Sequence, residues 1–282
     1  GVVDEYPASL ALFNHAIAYV PSLGLYLDGT AEFSGVTELP FHDQGIAGLI
    51  VDGGEGQFVQ IPTDAADRNV IRRSTRILLG EDGSAQVAED VNIEGQAAAG
   101  ARRAFQAPGE RRDRYEKLWN GFFAGARVTA VTMDLDDLDR SARVHAEGTV
   151  PQLGRASRDG GILVTALGRP SELAVGYASS SRRQHDTVLD YRWVQDETVV
   201  FRFPAGMSAK SLPRPVALSS PFGSFKMSVE TIAASGANTG EIKVSCVLRF
   251  DGDRIPARQY SEWRDFLVAV DSALNQGIEV RR

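Results

Sequence analysis

Two side chains that together can move a proton lie on either side of one short turn. The segment Phe13-Asn14-His15-Ala16-Ile17-Ala18-Tyr19-Val20 runs into Pro21-Ser22-Leu23-Gly24 and then into Leu25-Tyr26-Leu27-Asp28-Gly29-Thr30. An antiparallel hairpin in which Val20 faces Leu25 sets Ile17 opposite Asp28 and His15 opposite Thr30, so His15 and Asp28 share one face as diagonal neighbours. Diagonal positions have Cα atoms about 7–8 Å apart, within reach for a carboxylate to accept a hydrogen bond from an imidazole. A carboxylate so placed fixes the ring's tautomer and stabilises the imidazolium, the orienting role in a nucleophile, base and orienter set. The same pair also occurs as a strand histidine beside a capping aspartate with no chemistry attached, and spacing by itself does not choose between the two.

The elements that must position this pair are mostly strands. Runs of β-branched and aromatic residues separated by Gly, Pro, Asp and Ser predict strands over Phe13–Val20, Leu25–Asp28, Gly48–Val51, Phe58–Ile61, Val70–Leu79 and Ala85–Ile93. Asp82-Gly83 predicts a hairpin turn in which both residues take positive φ. Further strands are expected at Ala126–Leu135, Ala142–Val150, Ile162–Ala166, Thr187–Val194, Thr198–Phe203, Phe225–Ile232 and Glu241–Phe250. Helical spacing predicts Glu110–Phe123, with Tyr115, Leu118, Trp119, Phe122 and Phe123 on one face, and Ser261–Leu274, with Trp263, Phe266, Leu267, Val270 and Leu274 on one face. A weaker helix falls at Ala97–Ala104. The fold class is α+β, mainly β. The composition shift at Pro62–Asn69 divides the chain into residues 1–66 and 67–282, the second a β-sandwich-like domain carrying two helices.

The run FNHAIAYVPSLGLYLDGT, followed by Leu39-Pro40 and a Gly-rich stretch, resembles the histidine-to-aspartate half of a bacterial transglutaminase-like domain, a cysteine-protease-like family. That resemblance implies His15 as the base and Asp28 as its orienter, with a cysteine on an upstream helix as the nucleophile. RRSTRILLGEDGSAQV, the Arg-rich segment ending at the Trp119 helix, and RIPARQYSEWRDFLVAV resemble the domain following that core in large bacterial proteins of the DUF3857 type. On this resemblance the chain begins inside the core, after the cysteine helix. The missing N-terminal part of the polypeptide is then a partner of His15 and Asp28, a protein is the substrate, and the location is periplasmic or otherwise extracytoplasmic. A truncated core also leaves a strand edge near His15 open to self-association.

The sequence departs from the family pattern at the nucleophile. Cys246 is the one cysteine, and it sits in an alternating strand pattern that reads as a buried thiol. Ser9, close to His15, reads as a linker residue. The expectation is a chain inactive alone; the alternative is a non-catalytic β-sandwich module making protein or glycan contacts at the cell envelope. His15, Asp28, His42 and Asp43 could be written as a metal set, but no pair has the i, i+4 helical spacing that converges imidazoles, so neither a metal nor a cofactor is expected. Asp134, Asp136, Asp137 and Asp139 lack the Gly and Glu of a calcium loop and read as a solvated turn. Lys210–Pro221 reads as a surface loop, and His145 and His185 receive no role. Thirty basic residues against 37 acidic ones give a charge of −7, with arginine pairs scattered, which argues against a nucleic-acid surface. No run approaches the roughly 18 apolar residues of a membrane span.

Overall fold

Strict alternation builds the main sheet. In Ala142–Val150, Ala142, Val144, Ala146, Gly148 and Val150 are buried while Arg143, Glu147 and Thr149 face water, so one face is dry and the other wet. The computed structural model describes residues 13–232 and 240–282. Two hairpins come first, β1 (Ala18–Val20) with β2 (Leu25–Leu27) and β3 (Ala47–Asp52) with β4 (Glu55–Gln60). Then follow β5 (Val70–Leu79), β6 (Ala85–Ile93), α1 (Gln96–Ala104), α2 (Arg111–Asn120), β7 (Arg127–Asp134), β8 (Ala142–Val150), β9 (Arg155–Ala156), β10 (Ile162–Thr165), α3 (Leu173–Tyr177) and β11 (Thr187–Val188). The C-terminal part contains β12 (Trp193–Arg202), β13 (Ser208–Ser211), β14 (Val216–Ser220), β15 (Gly223–Ile232), β16 (Glu241–Phe250), β17 (Arg254–Ile255), α4 (Tyr260–Leu274) and β18 (Gly277–Arg281).

The α+β, mainly β class holds. An eight-stranded sheet runs β14-β15-β16-β12-β5-β6-β8-β7, antiparallel at every step except β12 beside β5, which is parallel. A four-stranded sheet, β13-β18-β10-β9, shares its core with one face of the larger sheet, through Ile162, Val164, Ile278 and Val280. The helices α2 and α4 complete that core with Tyr115, Trp119, Trp263 and Leu267. Gly148 admits Trp119: a Cβ there would collide with the Arg127 carbonyl oxygen and lie 2.8 Å from the indole.

Charges are buried in this core and are paired. Glu89 Oε1 accepts from Tyr115 Oη at 2.6 Å and from Trp119 Nε1 at 2.5 Å, while Oε2 accepts from Arg73 at 2.5 Å. Burial pushes the Glu89 carboxyl up, but Arg73 and the two ring donors outweigh it and hold the group below its ordinary value. Glu197 is buried likewise and accepts from Arg169 at 2.6 Å on both oxygens and from Gln195. This pairing lets β12 run unbroken from Trp193 to Arg202, where the polar run Asp196-Glu197 reads in the sequence as a gap between two strands.

Other differences have equally local causes. The expected strand Thr187–Val194 divides, because Asn69 Nδ2 takes the Arg192 carbonyl at 2.8 Å before the β12 ladder starts. Lys210–Pro221, expected as a loop, contributes β13 and β14, both at sheet edges with Pro213 and Pro215 between them, where a missing N–H costs no ladder bond. At the β5–β6 turn only Gly83 takes positive φ, at 84°. Asp82 instead accepts from Ser84 N at 2.9 Å. The helix α2 ends at Asn120, short of the expected Phe123; of the expected face Tyr115, Trp119 and Phe123 are buried, but Leu118 and Phe122 are not. The stripe is one residue wide, and Phe122 lies outside it, 5.6 Å below the Arg169 guanidinium.

Replacing Glu89 by Gln is expected to lower unfolding free energy by about 3 kcal/mol at pH 7, by removing one partner of a buried ion pair. Because the folded carboxyl titrates below its unfolded value of about 4.3, the wild-type advantage is full above that pH and is lost as pH falls through the folded value. Urea unfolding of both proteins between pH 7 and pH 3 measures this.

Candidate functional site

The turn Pro21–Gly24 closes the first hairpin with Leu23 N bonded to Val20 O at 3.1 Å and Gly24 at φ +60°. The register pairs Val20 with Leu25, Tyr19 with Tyr26 and Ala18 with Leu27, and the Tyr19 and Tyr26 rings stack at 4.6 Å across it. The ladder is shorter than the predicted strands: His15 precedes β1 and Asp28 follows β2 by one residue. Continuing the register brings the two side chains together, with His15 Nε2 at 3.2 Å from Asp28 Oδ1. Ser9 lies outside the described residues.

Asp28 is fixed from behind. Its Oδ1 accepts from Thr30 N at 2.9 Å and Thr30 Oγ1 at 2.8 Å, and its side chain is 2% exposed. Burial alone would push this carboxyl up; the Thr30 donors and the neighbouring His15 outweigh burial and hold it below the ordinary range.

A third residue joins from a separate segment. Asp43 ends a single helical turn, Phe41–Asp43, begun after Pro40, and its side chain is buried. Its Oδ2 is 4.0 Å from His15 Nε2 and 3.8 Å from His42 Nε2, and among the described residues has no hydrogen-bond partner. Burial pushes the Asp43 carboxyl up; His42 and His15 oppose this, and the nearby Asp28 adds to it. Two carboxyls in one site are thus driven in opposite directions, Asp28 toward the anion and Asp43 toward the neutral acid.

The segment bearing Asp43 is held by side chains of the larger β unit. Gln96 accepts from Phe41 N at 3.0 Å and donates to Leu39 O at 2.8 Å, and its own N–H donates to the buried Asn69 Oδ1 at 3.0 Å. Gln44 bridges Leu39 O and Asp64. The buried Arg102 donates to Phe33 O at 3.0 Å and to the carbonyls of Asp137, Leu138 and Arg140.

Helical spacing is absent from His15, Asp28, His42 and Asp43, and so the sequence carries no signal for their convergence. The His15 nitrogen and the Asp28 and Asp43 carboxylate oxygens in fact converge within 4.8 Å from three loop ends. Spacing also left His145 without partners. Its Nδ1 lies 2.7 Å from Asp90 Oδ1 and its Nε2 3.3 Å from Glu147 Oε1, and Asp90 stands directly opposite on β6. The bond to Asp90, opposed by slight burial and supported by Glu147, raises the His145 pKa. Carboxylates thus face both ring nitrogens of this histidine. It lines a groove of about 780 Å³ on the wet face of the eight-stranded sheet, with Arg72, Asp90, Arg143 and Asp196, remote from His15. Cys246 stands opposite Glu197 in the sheet, buried, and burial together with that carboxylate pushes its thiol up to about 12.

A domain of unknown function with a solved structure, DUF3858, matches residues 167–280, a span that includes the Tyr260–Leu274 helix and excludes His15, Asp28 and Asp43. A crystal structure from Parabacteroides distasonis, described as a "putative protease", is similar over 60% of this chain at 15% identity with a TM-score of 0.32. The chain spans 43% of the length of that protein. No curated protein matches the chain.

Asp43→Asn is expected to stabilise the fold by about 1 kcal/mol at pH 7, because an amide carries no charge into the buried position. A carboxyl raised on folding loses its stabilising contribution as pH rises through the folded value, so the difference from wild type should shrink at pH 4 and vanish below it. Urea midpoints at the two pH values measure this; equal midpoints at pH 7 would contradict the burial argument.

Proposed function

We propose that His15 and Asp28 are the base and the orienter of a thiol acyl-transfer centre of the transglutaminase-like kind, acting as a transferase or a peptidase on a protein substrate. The observation carrying this reading is the 3.2 Å approach of His15 Nε2 to an Asp28 carboxylate that Thr30 keeps anionic. With Nε2–H turned to Asp28, the ring's Nδ1 is the atom left to take a proton from a thiol and return it to the leaving group. The nucleophile belongs to sequence N-terminal to His15 in a longer polypeptide, of which residues 1–66 complete the core and residues 67–282 are the accompanying β-rich domain. This chain by itself is then inactive. On the same reading the protein works outside the cytoplasm, and the β1–β2 hairpin, whose strands pair only with each other among the described residues, is an edge that the missing part covers or a second copy can occupy.

A second reading is favoured by the groove on the wet sheet face: a binding module for protein or glycan, with no chemistry. The two separate at one residue. In the longer polypeptide, a cysteine N-terminal to His15 should react with iodoacetamide at pH 6, and His15→Gln should slow that reaction about 100-fold by removing the imidazolium that stabilises the thiolate. The present chain should stay unmodified until Cys246 is exposed by unfolding. No upstream cysteine, or one whose reactivity ignores His15→Gln, leaves the binding-module reading in place.

A further inference from the structure

Asp43 Oδ2 is buried with no hydrogen-bond partner among the described residues, and the side chain is only 5% exposed. A carboxylate buried this way costs free energy unless a proton or a cation supplies what water did. The atoms facing it are donors to metal: His15 Nε2 at 4.0 Å, His42 Nε2 at 3.8 Å, and Asp28, whose Oδ1 is 3.2 Å from His15 Nε2. We infer that His15, Asp28 and Asp43 form a binding site for one divalent transition-metal ion of the zinc class, with the fourth position open to solvent.

The distances fit such an ion. Ligand bonds of about 2.0–2.1 Å at tetrahedral angles put neighbouring donor atoms about 3.3 Å apart. The His15–Asp28 separation is already at that value, and the Asp43 contacts close onto an ion by shifts under about 1 Å, within ordinary rotamer adjustment. The donor types choose the metal. An imidazole nitrogen at the centre of the set suits zinc, copper or nickel, whereas calcium and magnesium take oxygen ligands in larger numbers. Because the Asp43 segment is fastened by Gln96 and the Asp28 carboxylate by Thr30, two of the three ligands are positioned before the ion arrives.

Metal binding at Nε2 and the proposed base function exclude each other. An ion on Nε2 moves the ring proton to Nδ1, leaving no lone pair for a thiol proton. The loaded site is therefore an off state of the proposed centre. The binding claim itself does not depend on the acyl-transfer reading, because it concerns this chain alone.

Titration of the chain with zinc chloride by calorimetry tests it. One equivalent should bind; His15→Gln and Asp43→Asn should each weaken binding at least about tenfold, while His145→Gln leaves it unchanged. Asp43→Asn should fold at least as well as wild type, so its loss of binding cannot be ascribed to unfolding; circular dichroism checks this. Binding that follows His145 rather than His15, magnesium or calcium chloride binding as tightly as zinc, or no heat with any of the three would overturn the assignment.

Discussion

Residues 13–65 contain two short hairpins and little core of their own, so their backbone polar groups must be satisfied from elsewhere, and that constraint places the site. Arg102 takes part in this, its buried guanidinium joining the Phe33 carbonyl to the carbonyls of the Asp137–Arg140 turn. Gln96 holds the Leu39–Phe41 stretch through both ends of its amide, itself anchored on Asn69, and Asp139 accepts from Val36 N. A buried donor bound to several carbonyls has no cheap alternative position, since each bond broken leaves a desolvated acceptor. The loop carrying Asp43 is therefore held against the hairpin carrying Asp28 by residues far along the chain from either.

Within that frame the chemistry comes from unequal treatment of similar groups. Asp28 meets two Thr30 donors and an imidazole; Asp43 is buried, with two imidazoles at a longer distance and another carboxyl beside it. The pair differs in environment rather than in residue type, and only the fold makes the difference. The two histidines next to strands divide the same way. His145 meets carboxylates of its own sheet at both ring nitrogens, while His15 keeps one ring nitrogen uncommitted among the described contacts.

Much of this was readable from the sequence where the cause is local. The turn at Pro21–Gly24 sets the hairpin register, and the alternation in Val70–Leu79 and Ala142–Val150 sets the sheet. Reading failed where a distant partner decides. Asp196-Glu197 looks like a break until Arg169 is placed beside Glu197, and Asp43, without the helical spacing of a ligand, does not stand out until the Gln96 anchor brings its segment to the hairpin. Leu118 and Phe122 were assigned to a buried face because helical spacing gives the direction of a stripe but not its width.

The single parallel seam, Val194–Arg202 of β12 along Val70–Leu78 of β5, joins two antiparallel halves of the large sheet. The matched span, residues 167–280, holds one half and stops short of the other. Excised along those limits, β12 would present a rim of unsatisfied amides and carbonyls where β5 now lies, and Glu197 would lose the nearby charge of Arg73. The matched span thus leaves one strand edge of this sheet to be closed by residues outside it.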